Sequence, residues 1–308
     1  MGAYELGCVN DTTFTTDTIY VGEKILGQTF TKVGVHDSIF ETLKSSLDCD
    51  SVVMHRVVVK PDPNTFNYYV KMDKEGRGDG SDWDNAMDST DFATYLPLAP
   101  DGATFYVAAG TYKPVYDVNM NIPSNSSNLC YAINSSVTIR GGYPADAKGK
   151  DVPSEPDKYR TIFSGDLGDN FNTGIQTLFL TAKEKLFSIY GLNFVKTKDV
   201  SSSSAAIISN GNFIVNQCVF DSCFCAILLK NSSSAFIDSC LFTKSWAPSI
   251  NVSEEASLTV SNSKFEDNVL FSPSRTPVYC GAAIYSQGII NVDKCEARNG
   301  TSINVSNL

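Results

Sequence analysis

The sequence predicts an all-β protein: a parallel β-helix, a solenoid of stacked coils, preceded by a small antiparallel β-sandwich domain. Three observations carry that expectation. A short apolar pattern recurs five times between residues 186 and 300, as FSIYGLNFVK from Phe187, FIVNQCVFDS from Phe213, AFIDSCLFTK from Ala235, LTVSNSKFED from Leu258 and IINVDKCEAR from Ile290. Within each copy the apolar positions sit two, then three, then two apart. That is a strand, a bend and a second strand, and not the i, i+3, i+4, i+7 spacing of a helix. Finally, four strand-like runs before Pro61 have a different texture from everything after it.

From the N-terminus, residues 8–60 hold those four runs: DTIYVGEKI, QTFTKVGVHD, SIFETL and DSVVMHRVVV. They are split by Gly27-Gln28, Gly34 and Asp48 to Asp50, and read as a compact immunoglobulin-like sandwich. Cys8 and Cys49 bracket the domain and are placed to close it as a disulfide, as suits an exported protein. Residues 61–64 (Pro61-Asp62-Pro63-Asn64) form a linker stiffened by two prolines. Residues 65–103 supply an N-terminal strand and a cap. Trp83, Met87, Phe92, Tyr95 and Leu96, between Ser81 and Ala99, predict a short amphipathic helix over the first coil.

Residues 104–308 are the coils. Four inward columns run down the repeats: Phe187, Phe213, Ala235, Leu258, Ile290; then Ile189, Val215, Ile237, Val260, Val292; then Leu192, Cys218, Cys240, Ser263, Cys295; then Phe194, Phe220, Phe242, Phe265, Ala297. Spacing down the third column is 26, 22, 23 and 32 residues. Insertions such as Leu270 to Pro277 belong in outward loops. A further strand precedes each copy, at Leu178/Leu180, Ala205/Ile207, Ile227/Leu229, Ile250/Val252 and Ala282/Ile284. Three short strands per coil, stacked at ~4.8 Å, make a β-helix of seven or eight coils from Thr104 onward.

Composition bounds the function. A net charge of −10 argues against nucleic acid and anionic membrane surfaces. No run approaches eighteen apolar residues, so no spanning segment is expected. MGAYELGCVN lacks the basic start and apolar middle of a signal peptide. Nine cysteines leave at least one unpaired. Cys218 and Cys240 share a column on adjacent coils, within disulfide reach, but read better as buried thiols packing as small hydrophobes. Cys218, Cys223 and Cys225 fit no zinc spacing.

GQTFTKVG through TLKSSLDCDSVVMHRVVV resembles a small β repeat of secreted surface proteins from bacteria that use type IX secretion. YYVKMDKEGRGDGSDWDNAM, DGATFYVAAGTYKP, VTIRGGYP and YRTIFSGDL resemble the opening of right-handed parallel β-helix proteins of the same group, described as adhesin-like or pectate-lyase-like. Residues 1–7 (MGAYELG) resemble the closing motif of such a β-helix. The resemblance implies a right-handed helix, an extracellular or outer-surface location, a longer parent chain and a glycan or surface-protein partner. It supplies no catalytic residue.

Chemistry is sparse in the coils. One outward column reads Tyr190, Asn216, Asp238, Ser261, Asp293. Its two aspartates lie roughly 10 Å apart, too far to share one calcium and just outside the ~5–9.5 Å of a glycosidase pair. A second reads Val195, Val219 or Asp221, Thr243, Glu266, Arg298, without a cluster. His36 and His55 both fall in the front domain, so no Ser-His-Asp set assembles on the coils. Asp79, Asp82 and Asp84 suit a calcium ion, the one cofactor considered, but read first as turn residues and helix caps. The RGD at Arg77 to Asp79 is a three-residue coincidence. Trp246, in KSWAPS, is a stacking platform for sugars if exposed and an edge-packing residue if not.

The sequence therefore points to a non-enzymatic surface scaffold with Trp246, Asp238 and Asp293 as candidate ligand contacts. A polysaccharide lyase or glycoside hydrolase is the rival, and a passive stalk a third reading.

Overall fold

The computed structural model describes residues 12–44, 50–166, 175, 177–197, 204–271, 277–278, 283–299 and 303–305. The chain divides into two units, Met1–Asn64 and Thr65–Leu308. Cys8, Cys49 and residues 1–7 lie outside the described residues.

In the first unit the strand Asp50–Lys60 is central, with Thr12–Tyr20 on one side and Gly34–Lys44 on the other. Gly34–Lys44 pairs with it antiparallel, but Thr12–Tyr20 pairs parallel, Thr12 facing Val52 and Tyr20 facing Lys60. The expected antiparallel sandwich is thus corrected, among the described residues, to one mixed three-stranded sheet plus a hairpin at Lys24–Ile25 and Gln28–Thr29. The central strand carries the β-branched run Val57-Val58-Val59, which packs best with a neighbour on both edges. Val57 and Val59 are fully buried with Phe30, and Ile19, Ile25 and Ile39 pack against them.

The second unit is a parallel β-helix of seven complete coils among the described residues. Three sheets run its length. The first has eight strands, from Asn67–Val70 to Ile289–Asp293; the second has seven, from Gly110–Tyr112 to Glu296–Arg298; the third has seven, from Tyr131–Ile133 to Ile303–Val305. The inward columns stand in the expected register: Phe187 pairs with Phe213, Phe213 with Ala235, Ala235 with Leu258 and Leu258 with Ile290. In the second sheet Phe194, Phe220, Phe242 and Phe265 form a continuous stack, with successive ring centroids 4.8, 4.9 and 4.8 Å apart and planes within 10°. In the third sheet the expected pairs Ala205/Ile207 and Ala282/Ile284 give way to Ile207/Ser209 and Ile284/Ser286, because Ile207 pairs with Ile227 and Ile284 with Ile250. A further strand is off by one position. Phe179 and Thr181, not Leu178 and Leu180, continue the inward column of the third sheet, because Phe179 pairs with Ile207. Three adjacent apolar residues, Leu178-Phe179-Leu180, hide the alternation that would have fixed the phase.

Between first- and second-sheet strands the bend is a single residue in the left-handed region: Gly191, Gln217, Ser239, Asn262 and Lys294, with φ of 62, 52, 54, 47 and 49°. Each of the first four donates its N–H to a carbonyl of the next coil, at Asn216, Asp238, Ser261 and Asp293. Gly191 is the bend that most needs glycine, since a Cβ there would come within 2.5 Å of Pro156 Cγ. A second left-handed column, Lys196, Ser222, Lys244, Asp267 and Asn299, follows the second-sheet strands.

The N-terminal end of the bore is closed by the helix Ser89–Tyr95. Phe92 on this helix sits 5.4 Å from Phe105, 6.4 Å from Tyr112 and 5.4 Å from Tyr131, one ring from each sheet, and plugs the first coil. Asp88, rather than Asp79 or Asp82, caps the helix by accepting from Thr90 N and Asp91 N. Trp83 is not part of this plug. It belongs to a separate cluster outside the bore, against Tyr69 and Tyr143, because Ser81–Asn85 folds over the outer face of the first coils. No helix among the described residues is long and apolar enough to cross a membrane.

Candidate functional site

The first sheet has the most strands, eight, and its rungs set three outward columns. The one nearest the bend runs Tyr69, Tyr106, Arg140, Tyr190, Asn216, Asp238, Ser261, Asp293. Its N-terminal part is covered, Tyr69 and Tyr106 being stacked at 5.0 Å beneath Trp83 and Tyr143. Arg140 lies with its guanidinium carbon 4.6 Å from the Tyr190 ring centroid, a cation–π contact. From Asn216 onward the column is polar and reaches solvent.

Asp238 is the best-tied carboxylate of the face. Oδ1 accepts from Ser261 Oγ (2.6 Å) and Asn262 Nδ2 (2.7 Å), and Oδ2 from Ser239 Oγ (2.8 Å) and Asn216 Nδ2 (3.3 Å). The Ser261, Asn262, Ser239 and Asn216 donors, in that order, hold its carboxyl below the usual carboxylate range. Four donors fill what two carboxylate oxygens accept, so this group joins three coils and has no lone pair left to aim at a ligand. Asp293, two rungs on, is exposed and faces Lys294 Nζ at 3.3 Å. The two aspartates share a column and are not brought together.

Trp246 is half-buried; its backbone N–H donates to the carbonyls of Cys223 (3.3 Å) and Phe224 (3.1 Å), which fastens the loop to the preceding coil. Among the described residues of the coils, the exposed large aromatic is instead Phe236, 47% exposed in the strand Ser234–Asp238. It points outward between inward Ala235 and Ile237, with Ile214 on the coil before and Thr259 on the coil after. Period-2 alternation inside AFIDSC carries this signal, since inward Ala235 and Ile237 fix Phe236 as outward. Beside it a third column places Asn212, Ser234 and Ser257, with Ser234 Oγ donating to Asn212 Oδ1 at 2.8 Å.

Three carboxylates elsewhere on the coils are ion-paired: Asp166 with Lys196, Asp221 with Lys244, Glu296 with Arg298. Register settles the second outward column on Asp221, facing Val195 and Thr243. Glu266 and Glu296 are diagonal neighbours on the last two second-sheet rungs, with Arg298 opposite Glu266 and bonded to Glu296 at 2.8 Å. The third sheet turns an apolar outer column, Ala132, Leu180, Ile208 and Leu228, toward its covering loops. A groove of about 330 Å³ beside it is lined by Val118, Asn134, Leu180, Thr181, Lys183 and Asn210, among others, with no carboxylate. Asp79 accepts from Arg77 Nε and Ser81 N, Asp82 from Asn85 Nδ2, and Asp84 from Gly149 N, so all three tie turns. Among the described residues no group of three or more His, Cys, Asp or Glu is placed to hold a metal ion. The six described cysteines are free thiols; Cys218, Cys223, Cys225 and Cys240 are buried, and burial pushes Cys223 and Cys225 up to about 12.

Residues 188–307 match the family model described as a right handed beta helix region. No curated protein matches the chain.

Proposed function

From a chain that is a right-handed parallel β-helix, we infer an extracellular, adhesin-like surface scaffold that binds glycan or a surface protein without cleaving it. The observation that carries this reading is the state of the carboxylates. Glycoside hydrolysis asks for two acids ~5–9.5 Å apart, one with a raised pKa, and lyase chemistry for clustered acids beside a free base. On the outer columns Asp238 is instead taken up by four donors, and Asp221 and Glu296 lie beside cations. Regular, flat columns suit broad and multivalent contact.

One observation favours the rival enzyme. Glu266 and Glu296 have the diagonal spacing at which a carboxyl pair works. Against it, Arg298 stands opposite Glu266 and donates to Glu296 at 2.8 Å, a cation where a glycosidase acid asks for an apolar pocket.

The test is a glycan-array screen of the full chain, with the bound glycans assayed for cleavage products. Binding without products is the expected result. Turnover of any polysaccharide refutes the reading and sends mutagenesis to Glu266 and Glu296. Silence on both shifts the reading to a protein partner or a passive stalk.

A further inference from the structure

We propose that Phe236 is the stacking platform of a neutral-saccharide site on the outer face of the first sheet. This deepens the glycan-binding reading above and rests on it. The site has three parts. Its centre is a short apolar strip made by Phe236 and the half-buried Ile214 one rung away. Its two rims are the columns two residues to either side, ~7 Å along the strand. One rim carries Asn212 and Ser234, the other Asn216 and Asp238.

Bonds between coils fix both rims in place. Ser234 donates to Asn212 on one side, and Asn216 donates to Asp238 on the other. The Asn212 carbonyl accepts from Ser234, and its amide NH2 supplies two donors to the exposed rim. An aromatic face flanked by fixed hydroxyl and amide groups complements a pyranose ring, which offers an apolar C–H face with hydroxyls around its edge.

Charge selects the class of sugar. These rungs present no cation, and the one carboxylate is negative and already saturated by protein donors. An acidic saccharide would meet Asp238 without a counter-charge and a cationic ligand would find no open lone pair. A neutral oligosaccharide meets neither cost. The polar rims span three rungs at ~4.8 Å, Asn212/Asn216, Ser234/Asp238 and Ser257/Ser261, so a chain lying along the solenoid axis keeps both rims in reach one rung to either side of Phe236.

The experiment is isothermal titration of the full chain with cellohexaose, mannohexaose and hexagalacturonate, repeated on Phe236→Ala, Phe236→Tyr and a remote control, Tyr285→Ala on the third sheet. Expected is binding of a neutral hexasaccharide, weakened about tenfold or more by Phe236→Ala, kept by Phe236→Tyr and unchanged by Tyr285→Ala. Circular dichroism melts check that Phe236→Ala keeps the fold, as an exposed side chain allows. Neutral-sugar binding that is unchanged in Phe236→Ala overturns the site and leaves glycan binding standing. Preference for hexagalacturonate overturns the neutral class. No binding of any hexasaccharide, together with a silent glycan array, overturns both.

Discussion

Replacing Phe242 with alanine removes the middle of the phenylalanine stack, and the cost follows from its neighbours. The ring is fully buried, 4.9 Å from Phe220 and 4.8 Å from Phe265, with planes 3° and 7° off parallel. A buried Phe→Ala change costs about 3–5 kcal/mol through lost transfer energy and the cavity left behind. Each aromatic pair adds about 0.5–1.5 kcal/mol beyond area, and Phe242 loses two. Phe265 supplies the internal control: it has Phe242 on one side, and on the other the column continues as Ala297. Phe265→Ala should therefore cost less than Phe242→Ala by about one such pair. Urea unfolding of the full chain reads the ordering, and native-state hydrogen exchange reads where the damage falls. Because coils contact only their neighbours, protection should drop around Leu241–Thr243 and hold at the plugged first coil, Ala103–Ala108. Equal costs for the two variants, or uniform loss of protection along the solenoid, would refute the stacking argument.

Three further outcomes follow from the same geometry. Asp238 has a depressed folded-state pKa, so its stabilisation is present above the unfolded value of about 3.9 and is lost as pH falls through the folded one. Asp238→Asn should melt below the parent at pH 7, with the gap closing below about pH 4, as thermal melts across that range would show. Cys223 and Cys225, pushed up to about 12 by burial, should react with iodoacetamide at pH 8 on the order of a thousandfold more slowly in the native protein than in urea. Mass spectrometry of peptides checks this, and fast native labelling of either thiol would contradict it. Gln217 holds φ at 52°, a conformation costing a side-chain-bearing residue about 1–2 kcal/mol. Gln217→Gly should raise stability by about 0.5–1 kcal/mol after glycine's own flexibility is deducted, read by urea midpoint.

The inward columns were legible because a coil repeats the same four demands, and substitutions such as Cys218 for Leu192 keep an apolar, buried side chain at smaller volume. The bends were not. Gln217, Ser239 and Lys294 are ordinary residues forced into the left-handed region by the coils on either side, and only Gly191 and Asn262 advertise that conformation. Phase failed at Leu178-Phe179-Leu180, where three adjacent apolar residues carry no alternation. At the site, Asp238 was picked for its column, but its saturation depends on Asn216, Ser261 and Asn262, supplied by two other coils. Phe236 was legible as outward from inward Ala235 and Ile237 on either side, whereas the half-buried state of Trp246 depends on a loop that the repeat does not fix. The parallel pairing of Thr12–Tyr20 left no trace at all, since strand propensity does not encode direction.

Seven coils also make a poor ruler. At ~4.8 Å per rung the stack advances only ~34 Å, whereas roughly 240 residues wound as one helix would reach ~360 Å. A chain selected for distance would not spend its length this way. What the winding yields is breadth: three walls of fixed side chains, ordered to the spacing of a hydrogen-bonded ladder, on which one rung can change without moving the next.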